Sequence, residues 1–288
     1  MIEYHADDYG LFIKQSQRIL DCCDKGALNG VSIMPNSPNL DECMKLLKGY
    51  DDIYITVHLN LVSEKPLSPK NEIKCLVDEK GYFHNPFLKL TLASLFPDQK
   101  RIYKDRIKKE LTRQLMRCAP YMKNGNYRID SHRHYHMIPV VFDALMEIIE
   151  EKGLKVEYIR DPSENISLIV GNKDIIRAAK PVNLVKVAVL NIFSLRNKCK
   201  SKLFREKSCK FTGVYFSGNM NYKNASLIVN KVKNDTRYIK ENWEVLFHPG
   251  GVEEKEDLIT LCDKEDKSFF TSQGRRDEAE ALRMFAEK

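Results

Sequence analysis

The segment His5-Ala6-Asp7-Asp8-Tyr9-Gly10 is the most informative stretch of this chain. It places two adjacent carboxylates and a glycine directly after the first apolar residues. One acid of such a pair can bind a metal ion while its neighbour accepts a proton from the water that the metal activates. Asp and Gly are also common turn residues, so the pair alone does not identify a site. Two further segments strengthen the case: residues 58–61 (HLNL) and 130–136 (DSHRHYH).

Short apolar runs alternate with longer helical patterns along the rest of the chain, which is typical of a repeated β/α arrangement. The predicted strands are Ile2–Ala6, Val31–Pro35, Ile53–His58, Tyr127–Ser131, Lys155–Ile159, Phe211–Phe216 and Trp243–His248. Seven strands separated by helices favour an α/β fold, namely a distorted (β/α) barrel of about seven mainly parallel strands.

Apolar residues at helical spacing predict the connecting helices. These are Phe12–Lys25, Leu40–Leu47, Lys100–Met122, Pro139–Glu151, Leu184–Leu195, Ala225–Glu241 and Arg275–Lys288. The strongly apolar Leu184–Leu195 could also form a strand. Residues 63–97 are rich in Pro, Asn, Gly and Lys and predict a long irregular excursion that forms the rim of an active site. No repeat or linker interrupts the chain, so we expect one domain over residues 1–288.

Composition sets limits on the class of protein. The 288 residues are 43% hydrophobic and 30% charged, values typical of a globular protein, and no apolar run is long enough to predict a membrane span. The first residues lack the basic start and apolar core of a secretory signal, so we expect a cytoplasmic location. Eight cysteines without a CysXXCys pair predict reduced thiols rather than a disulfide framework or a zinc knuckle.

Much of the net charge of +7 collects between Arg196 and Lys210, where Glu206 is the single acid. This stretch could attract a nucleic acid, an anionic membrane surface or an acidic substrate. Because no aromatic or Gly-rich nucleic-acid motif accompanies it, we expect a solvated helix end and no nucleic-acid partner. The apolar Leu184–Leu195 before it could contact a membrane-proximal, lipid-linked substrate or a second subunit, so a homodimer is one expectation.

The acid pair, His58 and the His cluster each fall at the end of a predicted strand. In a parallel α/β barrel all strand carboxyl ends open on one face, so these distant residues should lie close together. A single histidine at a strand end is more often structural, but three strand ends that carry Asp and His indicate a shared functional site.

These segments, together with HisProGlyGly at 248–251, resemble the YdjC family, which includes the chito-oligosaccharide deacetylases. The four motifs occur in the family's order over about the first 250 residues. The resemblance implies a metal-dependent hydrolase that removes the N-acetyl group from acetylated amino sugars or chito-oligosaccharides. It also implies a TIM-barrel-like fold similar to that of polysaccharide deacetylases. This chain departs from the family at His5, where Asn is usual, and at Arg133, where a third consecutive histidine is common.

The resemblance assigns roles to individual residues. It implies that Asp8, His58 and His132 hold one divalent metal ion, that Asp7 is the general base, and that His248 is the general acid. The imidazoles favour zinc, whereas the family has also been associated with magnesium.

A second group of residues is predicted to bind substrate or to support the ligands. These residues are Asp130, His134, His136, Arg160 and Asn219. Either His134 or His136 could replace His248 as the acid, and Asp130 could orient a ligating histidine. Arg160 could equally form a surface ion pair with Asp161.

Two other functions remain open on the sequence alone. A non-haem Fe(II) oxygenase uses the same His-His-Asp set, although it has no evident need for a second carboxylate beside the ligand. A non-catalytic sugar-binding protein could retain the same pocket.

Overall fold

Seven strands form a single sheet in which every pair is parallel, in the order β5-β4-β3-β2-β1-β7-β6. The computed structural model describes residues 1–170, 173–261 and 264–286. The strands are β1 (Ile2–Tyr9), β2 (Gly30–Ile33), β3 (Tyr54–Leu59), β4 (Asn126–Ser131), β5 (Lys155–Ile159), β6 (Lys210–Thr212) and β7 (Trp243–Phe247). The sheet curls into a half-barrel, which confirms the predicted fold class.

Helices connect the strands and cover the sheet. They are α1 (Ile13–Asp24), α2 (Leu40–Leu46), α3 (Phe87–Ala93), α4 (Pro97–Cys118), α5 (Pro139–Lys152), α6 (Lys173–Ala178), α7 (Pro181–Lys200), α8 (Lys202–Lys207), α9 (Tyr222–Asn234), α10 (Lys255–Thr260), α11 (Lys264–Phe270) and α12 (Gln273–Ala286). Among the described residues, the main hydrophobic core extends from Tyr4 in β1 to Phe285 in α12.

The two edge strands, β5 and β6, are linked by side chains rather than by strand pairing. The Tyr158 hydroxyl on β5 donates a hydrogen bond to Glu244 on β7, the neighbour of β6. Arg160, which follows β5, lies over the Phe211 ring of β6, 5.7 Å from its centroid. These contacts bring the two edges of the half-barrel together around a polar interior.

The backbone of β1 changes course at the acid pair. Its register against β2 shifts between Ala6 and Tyr9, and Asp8 adopts φ +68, a left-handed conformation that is unfavourable for a residue with a side chain. The Gln15 amide donates to the Asp8 carbonyl oxygen at 2.9 Å and stabilises this turn of the chain. As a result, the Asp8 side chain is redirected at the carboxyl end of the strand.

All seven predicted strands occur, but β6 is shorter than predicted. It ends at Thr212 because Gly213 adopts φ +143, and a Cβ atom there would lie 3.0 Å from the Leu246 carbonyl oxygen. The segment 184–195 is helical, as preferred over a strand, and it belongs to the longer helix α7.

The excursion at 63–97 contains two short 3-10 turns and helix α3, which the sequence pattern did not reveal. The predicted last helix lies in α12, except for residues 287–288, which fall outside the described ranges. Within those ranges, no helix combines the length and the apolarity that a membrane crossing requires.

Candidate metal centre and cavity

The carboxyl ends of β1, β3 and β4 bring Asp8, His58 and His132 together. One ligand atom from each lies within 4.8 Å of the other two, and all three residues are buried. Asp8 Oδ1 lies 3.6 Å from His58 Nε2 and 3.0 Å from His132 Nδ1. His58 Nε2 is buried and has no hydrogen-bond partner among the described residues. Buried polar atoms are normally hydrogen-bonded, so this nitrogen is available to bind a metal ion. The donor set therefore fits a divalent metal ion.

Each histidine of this group is backed by a second carboxylate. His58 Nδ1 lies 2.7 Å from Asp130 Oδ1 on the neighbouring strand, as predicted for Asp130. His132 Nε2 lies 3.6 Å from Asp266 Oδ1 on α11. Carboxylates in these positions fix the tautomer and orientation of a metal-binding imidazole. Asp266 is in turn bound by Arg133, whose Nη2 donates to it at 2.6 Å.

Burial lowers the pKa of His58, but Asp130 and Asp7 outweigh it and hold that pKa above its ordinary value. Burial likewise lowers the pKa of His132, but its interactions with the Asp266 and Asp8 carboxylates raise it to about 9. Burial raises the pKa of Asp8, yet His132 and Arg275 hold it well below its usual range. The Asp8 carboxylate is thus charged and stabilises a positive partner, and a divalent cation held there would take the place of the imidazole protons.

Asp7 lies beside the group of Asp8, His58 and His132 and is held by a buried arginine. Arg160 Nη1 and Nη2 donate to the two Asp7 carboxylate oxygens, each at 2.9 Å. Burial raises the pKa of Asp7, but Arg160 and His58 together keep it below its usual value. Asp7 Oδ2 lies 3.8 Å from His58 Nε2 and 3.9 Å from His248 Nε2. The base predicted from the sequence therefore lies next to both a predicted ligand and the predicted acid.

Arg160 is the centre of a charged cluster that is closed off from solvent, not the surface ion pair considered above. Besides Asp7 it contacts Asp130 Oδ2 at 2.6 Å and Glu244 Oε1 at 2.5 Å, and its side chain has no exposed area. We call Arg160, Asp7, Asp130 and Glu244 the Arg160 cluster. A bidentate guanidinium between carboxylates is a rigid arrangement that fixes the direction of the Asp7 oxygens.

His5 extends the support of Asp130 toward the start of β1. Its Nδ1 lies 2.7 Å from Glu3 and its Nε2 lies 2.7 Å from Ser32 Oγ, which donates to Asp130 at 2.5 Å. A second carboxylate and imidazole group, formed by His5, Asp7 and Asp130, has ligand atoms equally close together. Its atoms are already engaged by Ser32 and Arg160, so it is less suited to a metal than the first group.

The remaining predicted site residues separate into two sets. His134 lines the cavity with its ring edge on Phe211, and burial lowers its pKa well below the usual range. His136 has both nitrogens engaged, since Nδ1 lies 2.6 Å from Ser131 Oγ and Nε2 donates to the Arg160 carbonyl at 2.8 Å. It therefore positions the backbone of Arg160. Asn219 accepts from Asn221 at 2.9 Å beside the start of α9 and is not among the residues that line the cavity.

Several site residues come from parts of the chain that the motifs do not cover. Arg275 on α12 is buried, donates to Asp8 Oδ2 at 2.5 Å, and lies over the rings of Phe269 and Phe270. Its sequence signal is its place on the apolar stripe of α12, where Leu282 and Phe285 follow at helical spacing. Glu244 gives a similar signal, as a charged residue inside the otherwise apolar strand β7.

Glu164 joins the two loops at the open side of the half-barrel. Its Oε1 accepts from the backbone amides of Gly213, Val214 and Tyr215, and its Oε2 accepts from Thr212 Oγ1 at 2.8 Å. Burial raises the pKa of this carboxyl to about 7, even though these hydrogen bonds favour its charged form. Glu164 thereby fixes the Gly213–Val214 wall of the cavity.

A cavity of about 810 Å³ adjoins the candidate metal centre. Asp7, His132 and His248 form its polar end, and Asp266 also reaches it. The excursion at 63–97 contributes a run of lining residues. That run comprises Phe83, His84, Asn85, Pro86 and Phe87. The volume is that of a small-molecule site.

Comparison with known proteins adds independent information. The YdjC-like protein family matches residues 2–284. A carbohydrate deacetylase of Thermoanaerobacter pseudethanolicus is 31% identical over 152 residues, which are 53% of this chain and 57% of that protein. A carbohydrate deacetylase of Danio rerio is 26% identical over 159 residues, 55% of this chain and 49% of that protein. The matched region thus spans about half the length of these relatives.

A solved structure resembles the whole chain. It is that of an Enterococcus faecalis protein described as a cellobiose-phosphate cleavage protein, with a TM-score of 0.63 and 18% identity. The match covers 98% of this chain and 94% of the other. At this identity the likeness concerns the fold.

Proposed function

This chain belongs to the YdjC-like protein family, and we propose that it is a metal-dependent deacetylase of acetylated amino sugars. The observation that carries the proposal is the buried group of Asp8, His58 and His132 directly beside Asp7, which Arg160 holds in place. The relatives named carbohydrate deacetylase support the reaction class and do not favour the oxygenase or the sugar-binding alternative.

Asp8, His58 and His132 would hold the metal, through Asp8 Oδ1, His58 Nε2 and a ring nitrogen of His132. When bound there, a divalent ion supplies Lewis-acid polarisation of the acetamide carbonyl and increases the acidity of a water molecule. Two imidazoles and one carboxylate suit zinc, and magnesium is the second choice.

The chain's own residues would carry the protons. Asp7 accepts a proton from the attacking water at a carboxylate oxygen, while Arg160 keeps that carboxylate oriented. The water oxygen adds to the acetyl carbon, and the C–N bond then breaks. His248 Nε2, which lies 3.9 Å from Asp7 Oδ2, delivers a proton to the departing nitrogen. The products are acetate and a free amino sugar.

The cavity supports a carbohydrate substrate. Phe83, Phe87 and Phe269 supply apolar lining for sugar rings, and Arg133 and Ser217 supply polar groups. We propose N-acetylglucosamine oligomers as the first substrates to examine. The expected cytoplasmic location belongs to the same proposal.

The test is acetate release from N-acetylglucosamine oligomers with added zinc or magnesium, for the wild type and for Asp7→Asn. We expect acetate from the wild type and a rate about 10²- to 10⁴-fold lower for Asp7→Asn, because the variant lacks the base. Elemental analysis should show that the variant retains its metal, since Asp7 is not one of the three ligands. Asp8→Asn is the matched comparison and should lose metal as well as activity.

Two results would overturn the proposal. One is the absence of acetate release from a panel of acetylated saccharides with several metals. The other is oxygen consumption that depends on Fe(II) and 2-oxoglutarate, which would favour the oxygenase.

A further inference from the structure

Helix α7 turns polar side chains toward the protein. Its buried face carries the polar residues Asn183, Ser194 and Asn197 together with the apolar Val187 and Leu190. The Asn183 amide donates to the Tyr215 carbonyl at 3.2 Å, Ser194 Oγ donates to Asp161 at 2.8 Å, and the Asn197 amide donates to the Met137 carbonyl at 2.9 Å. These partners belong to the loops after β6, β5 and β4, so α7 lies across the carboxyl ends of the strands. The polar residues of its inner face are thus explained by the loop groups that they contact.

The outer face of α7 is apolar. Val182, Val185, Ile192 and Leu195 are 57%, 64%, 63% and 68% exposed. Their spacing of three and seven residues places them on one side of the helix. We call these four residues the α7 stripe. Packing against the core accounts for Val187 and Leu190 of this helix, but it does not account for the four exposed residues of the stripe.

The α7 stripe adjoins both the cavity and helix α3. Val182 and Val185 also line the cavity. Phe87 of α3 stacks on Phe193 of α7 with ring centroids 6.0 Å apart, and Leu88 next to Phe87 is exposed. The apolar surface therefore continues around the mouth of the cavity.

Positive charge collects from the carboxyl end of α7 through α8 to the start of β6. Within residues 181–210, Glu206 is the only acid, against eight basic residues. These are Lys186, Arg196, Lys198, Lys200, Lys202, Arg205, Lys207 and Lys210. Four of them form ion pairs, namely Arg196 and Lys200 with Asp143, Lys198 with Asp161, and Lys202 with Glu206. Arg205, Lys207 and Lys210 are exposed and form no ion pair with another described residue.

We propose that the α7 stripe docks on an anionic lipid bilayer. An exposed apolar helix face flanked by lysine and arginine is the composition of a helix that lies in the membrane interface. In a symmetric dimer through this face, a second copy would bring its own basic region, with Glu206 as the single acid of residues 181–210, so the charges would not match. Lipid headgroups supply the missing negative charge. This inference does not depend on the deacetylase proposal.

The experiment is co-sedimentation of the full chain with vesicles of phosphatidylcholine, either alone or mixed with phosphatidylglycerol. We expect binding to the mixed vesicles that weakens as salt is added, since the attraction to headgroups is screened. The double variant Ile192→Ser and Leu195→Ser should bind at least roughly tenfold more weakly, because each buried aliphatic side chain favours transfer from water. Arg205→Glu with Lys207→Glu should lose the preference for the mixed vesicles.

Ile239→Ser is the matched control. Ile239 is also 57% exposed but lies after α9, outside the α7 stripe, so this variant should bind as the wild type does. Lack of binding to either vesicle would overturn the proposal. It would also be overturned by a dimer, seen by light scattering, that the double serine variant dissociates, since the stripe would then be a self-interface. Far-ultraviolet circular dichroism checks that each variant is folded.

Discussion

At the floor of the cavity, the Arg160 cluster buries one guanidinium and three carboxylates, and the guanidinium forms an ion pair with each carboxylate. At the mouth, the α7 stripe leaves four aliphatic side chains exposed. The floor therefore contributes to folding through groups that cannot be removed singly without leaving an unpaired charge. The mouth contributes little to folding, and its apolar residues are available for contact with something outside the chain.

The largest effect on stability is expected for Arg160→Met, which leaves Asp7, Asp130 and Glu244 without their shared cation. We expect the free energy of unfolding to fall by about 3–5 kcal/mol, as for other buried pairs that lose one partner. Urea denaturation in the presence of a chelator measures it. The double variant with Asp7→Asn should lose less than the sum of the two single variants, because the residues interact directly. A loss below about 1 kcal/mol would show that the floor does not depend on this cluster.

Glu164 is a buried carboxyl whose titration should make the stability of the protein depend on pH. Its pKa is raised from 4.5 to about 7 in the folded protein, so the folded state holds more protons than the unfolded state between these values. The sign follows: the contribution of Glu164 to stability is greatest below pH 4.5, falls as the pH rises toward 7, and is constant above that. Over this window the free energy of unfolding should fall by about 3 kcal/mol relative to Glu164→Gln, which has no titrating group. Denaturation curves of the wild type and of Glu164→Gln at several pH values check this. The same dependence of the free energy of unfolding on pH in both proteins would contradict it.

The smallest effect is expected at the mouth. Leu195→Ala should change the free energy of unfolding by less than about 0.5 kcal/mol, since the side chain is exposed. The matched control on the same helix is Leu190→Ala, where a buried side chain is removed and about 2–5 kcal/mol is expected. Thermal or urea unfolding of both variants measures the contrast. Equal losses would mean that Leu195 already packs against the fold.

The sequence predicted the strand ends and the residues that follow them, since those signals are local. Asp7, His58 and His248 each come at the end of an apolar run, and parallel topology alone makes such ends converge. The predicted length of β6 was wrong. The run Phe211–Phe216 stays apolar beyond Gly213, but the backbone leaves the sheet at that glycine.

The partners that hold the site could not be predicted with the same ease. Arg275 and Asp266 lie on helices after the last strand, and Glu164 lies in a loop, so no motif connects them to the residues that they contact. A charged residue on the apolar stripe of a helix, such as Arg275, or within a buried strand, such as Glu244, indicates burial but does not name its partner. Long-range pairing depends on the complete fold, and only the three-dimensional arrangement supplies it.

The side-chain junction between β5 and β6 has a consequence for how the cavity can vary. Along the rest of the sheet, widening the interior would separate strands that share ladder hydrogen bonds. At this one seam the wall consists of side-chain contacts, chiefly those of Tyr158, Arg160 and Glu164, and these can change when their partners change with them. Shorter or longer residues there can alter the bore of the half-barrel, and hence the size of molecule admitted, while the strand ladders stay intact.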